Sequence, residues 1–152
     1  MPPRLFVDGP LPSAGDRFAL PPTAARHVQV LRLQPGAAIV LFDGSGPEWP
    51  ATVTAMGRQS VEVELGAPSP AQRELTQTVR LAVVMPANDR MDGVIEKATE
   101  LGAAAIQPLM SERSVLRLVG ERADKKRQHW RGVAVAAAEQ CGRSRVPEIA
   151  PV

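Results

Sequence analysis

The sequence has no tyrosine, and aromatic residues fill only 3% of its 152 positions. A core must therefore rest on Val, Leu, Ile, Ala and Met, and single-strand binding on a row of aromatic stacking platforms is not indicated. Cys141 is the only cysteine, which excludes an internal disulfide and a cysteine-rich zinc site and fits a reducing compartment. With His27 and His129 as the only histidines, there is no His-rich metal site. No apolar run approaches the ~20 residues needed to span a bilayer, and Met1-Pro2-Pro3-Arg4 lacks the apolar core of a signal peptide. No nucleophile elbow, P-loop or Gly-x-Gly-x-x-Gly run occurs. The expectation is a soluble, cytoplasmic chain with no membrane partner and no metal.

What is present begins with an uneven charge. The net charge is only +2. Residues 1–72 carry five Arg against six acids, whereas residues 73–152 carry thirteen Lys plus Arg against ten. Between Arg113 and Arg131 the basic residues are Arg113, Arg117, Arg122, Lys125, Lys126, Arg127 and Arg131, opposed only by Glu121 and Asp124. Such an excess marks either a phosphate-binding face or an ordinary solvated helix face.

The first half reads as mostly β. Arg4-Leu5-Phe6-Val7 is a short strand closed by Asp8-Gly9-Pro10. Pro21-Pro22-Thr23 opens a short helix, with Thr23 as a candidate cap and Ala24, His27, Val28 and Leu31 on one side. Ala38 to Phe42, Ala51 to Met56 and the alternating Ser60-Val61-Glu62-Val63-Glu64-Leu65 are further strands. Short strands around one helix suggest a small closed or partly closed barrel. Gly66 to Gln72, rich in proline and small residues, begins a linker. The expected partition is a barrel over 1–70, a linker over 71–77 and a second unit over 78–152.

The second unit has a different grammar. Val79 to Met85 is a nearly continuous apolar strand, suited to burial on both faces. Asn88 is a candidate cap for a helix with Met91, Val94, Ile95 and Ala98 on one side, ending at Gly102. Lys97 and Glu100 can pair on its surface. Ala104 to Leu109 is a second strand, Gly120 to Cys141 contains a long helix, and Glu148 to Val152 begins a third strand. A β-α-β-α-β order implies a parallel sheet with right-handed crossovers. Such a unit usually needs ~100–150 residues, so 73–152 reads as the first half of a domain.

The long helix ends in Glu139-Gln140-Cys141-Gly142-Arg143-Ser144-Arg145-Val146-Pro147. Trp130, Val133, Ala134, Ala137, Ala138 and Cys141 recur at helical spacing, Gly142 fits the left-handed C′ position, and Pro147 blocks continuation. Glu139, Gln140, Arg143 and Arg145 thus gather at a helix end and the following turn. That group suits a phosphate, a nucleobase edge or a carboxylate, or it simply complements the helix dipole.

Five fragments in order carry a resemblance: His27-Val28-Gln29-Val30-Leu31-Arg32, Phe42-Asp43-Gly44-Ser45-Gly46, Glu96 to Gly102, Ser111-Glu112-Arg113-Ser114, and Glu139 to Pro147. Together they resemble the bacterial small-subunit ribosomal RNA uridine-N3 methyltransferases, the RsmE type of the SPOUT superfamily. The resemblance implies a fold of the α+β kind: an N-terminal PUA-like RNA-binding β-barrel followed by an α/β trefoil-knot methyltransferase domain with a parallel sheet. It also implies S-adenosyl-L-methionine as cofactor, 16S rRNA in the assembled small subunit as partner, and a homodimer. It assigns catalysis to Glu139, Gln140, Arg143 and Arg145. It sets the region of His27 and Arg32 near RNA, with Arg4 a further candidate, while the basic run offers Arg113, Arg117, Lys125, Lys126 and Arg127 for salt-sensitive RNA contact. The family's Gly-Pro-Glu-Gly-Gly and Leu-Gly-x-Arg-Ile-Leu-Arg cofactor loops do not occur here; Gly46-Pro47-Glu48-Trp49 is only a decoy. The expectation is an enzyme cut before its knot, inactive as these 152 residues alone. The competing readings are a non-catalytic RNA-binding module and a small α/β enzyme of another class.

Overall fold

The structure is a computed structural model, and it describes residues 1–87 and 89–152. The chain divides into two compact units, residues 1–72 and 73–152. Asn88, the expected helix cap, lies outside the described residues. Among the described residues no helix is long and apolar enough to cross a membrane.

In the first unit β1 (Arg4–Phe6), β2 (Arg17–Ala19), β3 (Ala38–Phe42), β4 (Pro47–Met56), β5 (Val61–Leu65) and β6 (Ser69–Pro70) accompany α1 (Pro22–Val30). The sheet runs β1-β3-β4-β5-β2, with β6 beside β4. Only the β1–β3 pairing is parallel. β5 alternates strictly, burying Val61, Val63 and Leu65 while Glu62 and Glu64 face water, the pattern of a sheet with one wet side. These side chains meet Leu5, Leu41, Val53 and, from α1, Ala24, Ala25 and Val28 in one core. Thr23 is not the cap: the helix begins at Pro22, with Pro21 at the N-cap position and no side-chain cap bond. Proline suits that first turn because its missing N–H would have no intrahelical partner. Ser69 and Pro70, the last residues of the expected first unit, pair with Glu48 and Pro47.

The C-terminus of α1 carries an unusual residue. Leu33 N–H donates to Val28 O and Arg32 N–H to Gln29 O, the paired bonds of a Schellman turn. The left-handed position of that turn is usually glycine, but here it is Arg32, at φ 53°. Among the described residues it is the one non-glycine with positive φ. A side chain there costs roughly 1–2 kcal/mol.

The second unit contains β7 (Arg80–Val84), α2 (Arg90–Glu100), β8 (Ala105–Leu109), α3 (Gly120–Cys141) and β9 (Glu148–Ile149). The sheet is parallel in the order β7-β8-β9. Its core gathers Met91 and Ile95 of α2, Trp130 and Ala134 of α3, and Ile106 and Ile149, with Leu81 and Val83 packed against it. α3 stops at Gly142, whose φ of 90° supplies the left-handed end. On α2, Lys97 bonds Glu96 at 2.9 Å and Glu100 at 3.1 Å. Its ammonium holds the Glu96 carboxyl below the usual range, but the trio is solvated and contributes little.

β7 is not buried on both faces. Arg80, Ala82 and Val84 are exposed, whereas Leu81 and Val83 are half-buried. Both connections step in the same direction across the sheet, so crossovers of one hand put α2 and α3 on the same face. The opposite face is left with the register pair Val84 and Leu109 open to solvent.

Candidate functional site

The strands of the second unit define two edges with different chemistry. At the C-terminal edge, the segment after β8, the first turns of α3 and the residues after β9 surround a crevice of about 290 Å³. Met110, Leu118, Val119 and Val152 give it an apolar lining, with Asp124 and Arg127 as its charged members. Arg127 Nε donates to Ile149 O at 2.6 Å and so ties α3 to the last strand. Leu118 N–H points at Met110 S at 3.4 Å, Ser111 N–H donates to Ser114 Oγ at 2.8 Å, and Arg117 donates to Glu112 O at 2.8 Å. The segment is thus folded on itself. Parallel α/β sheets place ligands at this edge, and the resembling fragment Ser111 to Ser114 falls in the segment after β8.

The N-terminal edge is organised by Arg143, and here the sequence reading needs correction. Arg143 is 4% exposed. Its Nε and Nη2 reach Glu74 Oε1 and Oε2 at 3.1 and 2.6 Å, and its Nη1 reaches Thr99 O and Ala103 O at 2.8 and 3.0 Å. Glu74 precedes β7, residues 99–103 precede β8, and Arg143 precedes β9. One guanidinium therefore binds the three segments that enter the three strands. It is enclosed by its own fold, which leaves it no face for a substrate. Residues 71–77 are correspondingly no slack linker, because Arg73 also donates to Gly142 O at 2.8 Å.

The other members of that run are placed differently. Gln140 and Arg145 are exposed, and Glu139 is half-buried. They lie at the C-terminal end of α3, while the crevice lies at its start. A helix of 22 residues separates them, which at 1.5 Å per residue is roughly 30 Å. Within one chain, the two groups do not converge on one atom.

The residues expected at RNA also separate. Arg4 ion-pairs with Glu48 and lies 5.0 Å over the Phe42 ring, with its side chain only 7% exposed. That buries it as a prop for the Phe6–Phe42 ring contact rather than a phosphate ligand. His27 is half-buried on α1, and Arg32 is exposed. Lys125 bonds Glu121 at 2.8 Å, and Lys126 lies 3.9 Å from Asp89. Helical spacing sets Arg122, Lys125 and Lys126 on one side of α3 but turns Arg127 toward the core. Arg113, Arg117 and Arg122 are exposed. Arg127 is the second correction in this set, since it is half-buried and bonded to Ile149. Linear charge density could not separate these cases, because it ignores which residues the fold uses internally.

Comparison with known proteins agrees with this architecture. Residues 73–152 match an RNA methyltransferase domain, and residues 20–66 match an RNA methyltransferase PUA domain. Ribosomal RNA small subunit methyltransferase E of Bacillus subtilis is 34% identical over 125 residues, 82% of this chain and 49% of that protein. Its counterpart in Synechocystis is 35% identical over 130 residues, 84% of this chain and 41% of that protein. The chain spans about half the length of the curated relatives it matches. The structure of ribosomal RNA small subunit methyltransferase E from Neisseria gonorrhoeae, bound to S-adenosyl methionine, superposes with a TM-score of 0.93 at 37% identity, covering 99% of this chain and 62% of that one. A Legionella pneumophila protein described as a methyltransferase, in complex with SAM, gives 0.94 at 32%, covering 100% and 63%. With its second unit matched from end to end, and a PUA-type match ahead of it, the chain belongs to the RNA methyltransferase domain family.

Proposed function

We propose that the protein carrying this chain transfers a methyl group from S-adenosylmethionine to N3 of a uridine in 16S rRNA of the small ribosomal subunit, as a cytoplasmic homodimer. In this reading the first unit is a PUA-like barrel and the second begins a trefoil-knot domain. The observation that carries it is the three-strand parallel unit of residues 73–152, which matches the RNA methyltransferase domain and overlays two proteins solved with the cofactor.

The cofactor supplies an electrophilic methyl. The protein must hold the uracil in line with it and stabilise the base once N3 has lost its proton. Arg145 is the exposed cation of the α3 end that can face such an anion, and Gln140 can read a uracil carbonyl. Glu139 orients a neighbouring cation. Arg143 acts only by holding this end in place. Because the α3 end and the crevice are roughly 30 Å apart in one chain, a site using both draws them from two chains.

The residues present do not enclose the cofactor by themselves. The crevice has an apolar wall fit for an adenine face and one carboxylate, Asp124, fit for a hydroxyl. Its volume of about 290 Å³ lies below the ~300–1,000 Å³ of sites that bury ligands of this size.

The test is methyl transfer from labelled S-adenosylmethionine to small ribosomal subunits, using the protein translated from its whole reading frame. Label on uridine N3 is the expected result; label on another atom, or on none, overturns the reading. The 152 residues alone are expected to give no heat of S-adenosylmethionine binding in calorimetry, since they lack a Gly-Pro-Glu-Gly-Gly segment. Micromolar binding by them would relocate the cofactor site. Unchanged turnover in Arg145→Ala would remove that residue from the chemistry.

A further inference from the structure

The first unit has five arginines, and the fold treats them in two ways. Arg4 and Arg17 are ion-paired, with Glu48 and Glu64. The guanidiniums of Arg26, Arg32 and Arg58 have no partner among the described residues, and all three side chains are exposed. One side chain links the two segments that carry them. Gln29 Nε2 donates to Gly57 O and Arg58 O, each at 3.2 Å, which fixes the β4–β5 turn against α1. Arg26 lies three residues before Gln29 on the same helix face, and Arg32 lies three residues after it, in the Schellman turn.

The same helix end holds Val30 and Leu31, 68% and 43% exposed. Apart from Met1, they are the exposed large hydrophobics of this unit among the described residues. Arg32 adds a third oddity. Its backbone sits at φ 53°, where glycine would be free of strain. A strained side chain kept where the turn itself does not need it points to a use for that side chain.

We infer that Arg26, Arg32 and Arg58, set around the apolar pair Val30–Leu31, form a docking face for unpaired RNA. The phosphates of a strand meet the three cations, and its unstacked base faces lie on the aliphatic pair and on guanidinium planes. A duplex hides its base faces and offers no such apolar surface. The inference rests on the reading that this chain's protein acts on RNA, and it names the strand state and the residues that meet it. All five residues fall within the stretch matched to the PUA domain. With no aromatic in the face, the contact discriminates strand state more than base identity.

The experiment uses the 152-residue chain and fluorescence anisotropy with a labelled single-stranded oligoribonucleotide, the same strand annealed to its complement, and polyglutamate as an acidic polypeptide probe. The expected result is that R26E/R58E weakens single-strand binding by about tenfold and flattens its salt dependence, each lost phosphate contact removing about 0.7 from the log–log slope. L31S lowers affinity for the single strand and leaves the duplex unaffected. R32G weakens binding several-fold while its thermal midpoint stays the same or rises, a combination that a structural role for Arg32 does not produce.

If R26E/R58E binds RNA unchanged while K125E/K126E loses affinity, the RNA reading stands and this face is wrong. A lowered midpoint with intact affinity in R32G overturns the role of Arg32. Equal loss for single strand and duplex overturns the strand preference. Loss toward polyglutamate alone makes the face a protein-docking surface and overturns the proposal. No RNA binding by the unsubstituted chain sinks both this proposal and the role of this chain in RNA contact, whereas the methyl-transfer assay on the whole protein tests the parent reading independently.

Discussion

Arg143→Ala is expected to lower the stability of the second unit by about 3 kcal/mol. Removing one partner of a buried, hydrogen-bonded charge pair typically costs ~3–5 kcal/mol, because the groups left behind lose their compensation. Two details set the lower end. The Glu74 side chain is 27% exposed, so its carboxylate can regain water. Both carbonyls lose their Arg143 bond, but Thr99 O keeps Gly102 N–H as a donor at 3.1 Å, so the larger cost falls on Ala103 O. An unpaired buried carbonyl alone costs roughly 1–3 kcal/mol. Arg143→Lys should recover only part of the loss, since an ammonium cannot present a two-point fork to Glu74 while reaching two carbonyls. The units have one tryptophan each, Trp49 and Trp130. Urea unfolding followed by emission in a Trp49→Phe background therefore reports the second unit. A loss below ~1 kcal/mol would equate this network with an ordinary surface pair and return Arg143 to the set of substrate-contact candidates.

The pairing behind that prediction marks the limit of what the sequence displayed. Features governed by near neighbours were legible. Gly142 and Pro147 bounded α3, the strand Ala38–Phe42 fell where its apolar run lies, and Lys97 found Glu100 one turn away. Arg143 was legible as a residue at a helix end, but its partner Glu74 lies 69 positions away, and no local periodicity reveals such a pair. The open face of β7 was hidden for a related reason. Its composition suits burial on both sides, yet exposure depends on the strand order and on which face both helices cover. Arg32 was singled out as a cation, but glycine is the usual signal for a left-handed turn, and an arginine there carries no such signal. The crevice residues Met110, Leu118 and Asp124 were missed because three separate segments form it.

The two ends of α3 now have distinct duties. The first turns line the crevice and Arg127 fastens them to β9, whereas the last turn delivers Gln140 exposed and leads into the Arg143 network. In any version of the proposed chemistry the helix is a ruler, and its position relative to the sheet sets both ends at once. Besides Trp130, the residues that α3 buries are small, Ala134, Ala137 and Ala138. Small residues permit close approach but provide little area, so one large side chain must fix the helix.

That side chain is Trp130, and Trp130→Ala is expected to destabilise the second unit by about 3–5 kcal/mol. Trp130 is 0% exposed and lies in the core with Met91, Ile95, Ile106 and Ala134. Its removal forfeits the transfer energy of an indole and leaves a cavity in the core. Its Nε1 is buried with no hydrogen-bond partner among the described residues, an arrangement that costs free energy in the native state. Trp130→Phe separates the two contributions. It retains most of the ring volume and deletes the orphan N–H, so its loss should be well below half that of the alanine variant. Circular dichroism in urea measures both variants without a tryptophan signal, and hydrogen exchange across α3 locates the change. If Trp130→Phe costs as much as Trp130→Ala, the indole N–H has a partner that supports the fold. If Trp130→Ala costs under ~1 kcal/mol, α3 is held by its ends, and Arg127 with Arg143 would then carry the placement that the core is assigned here.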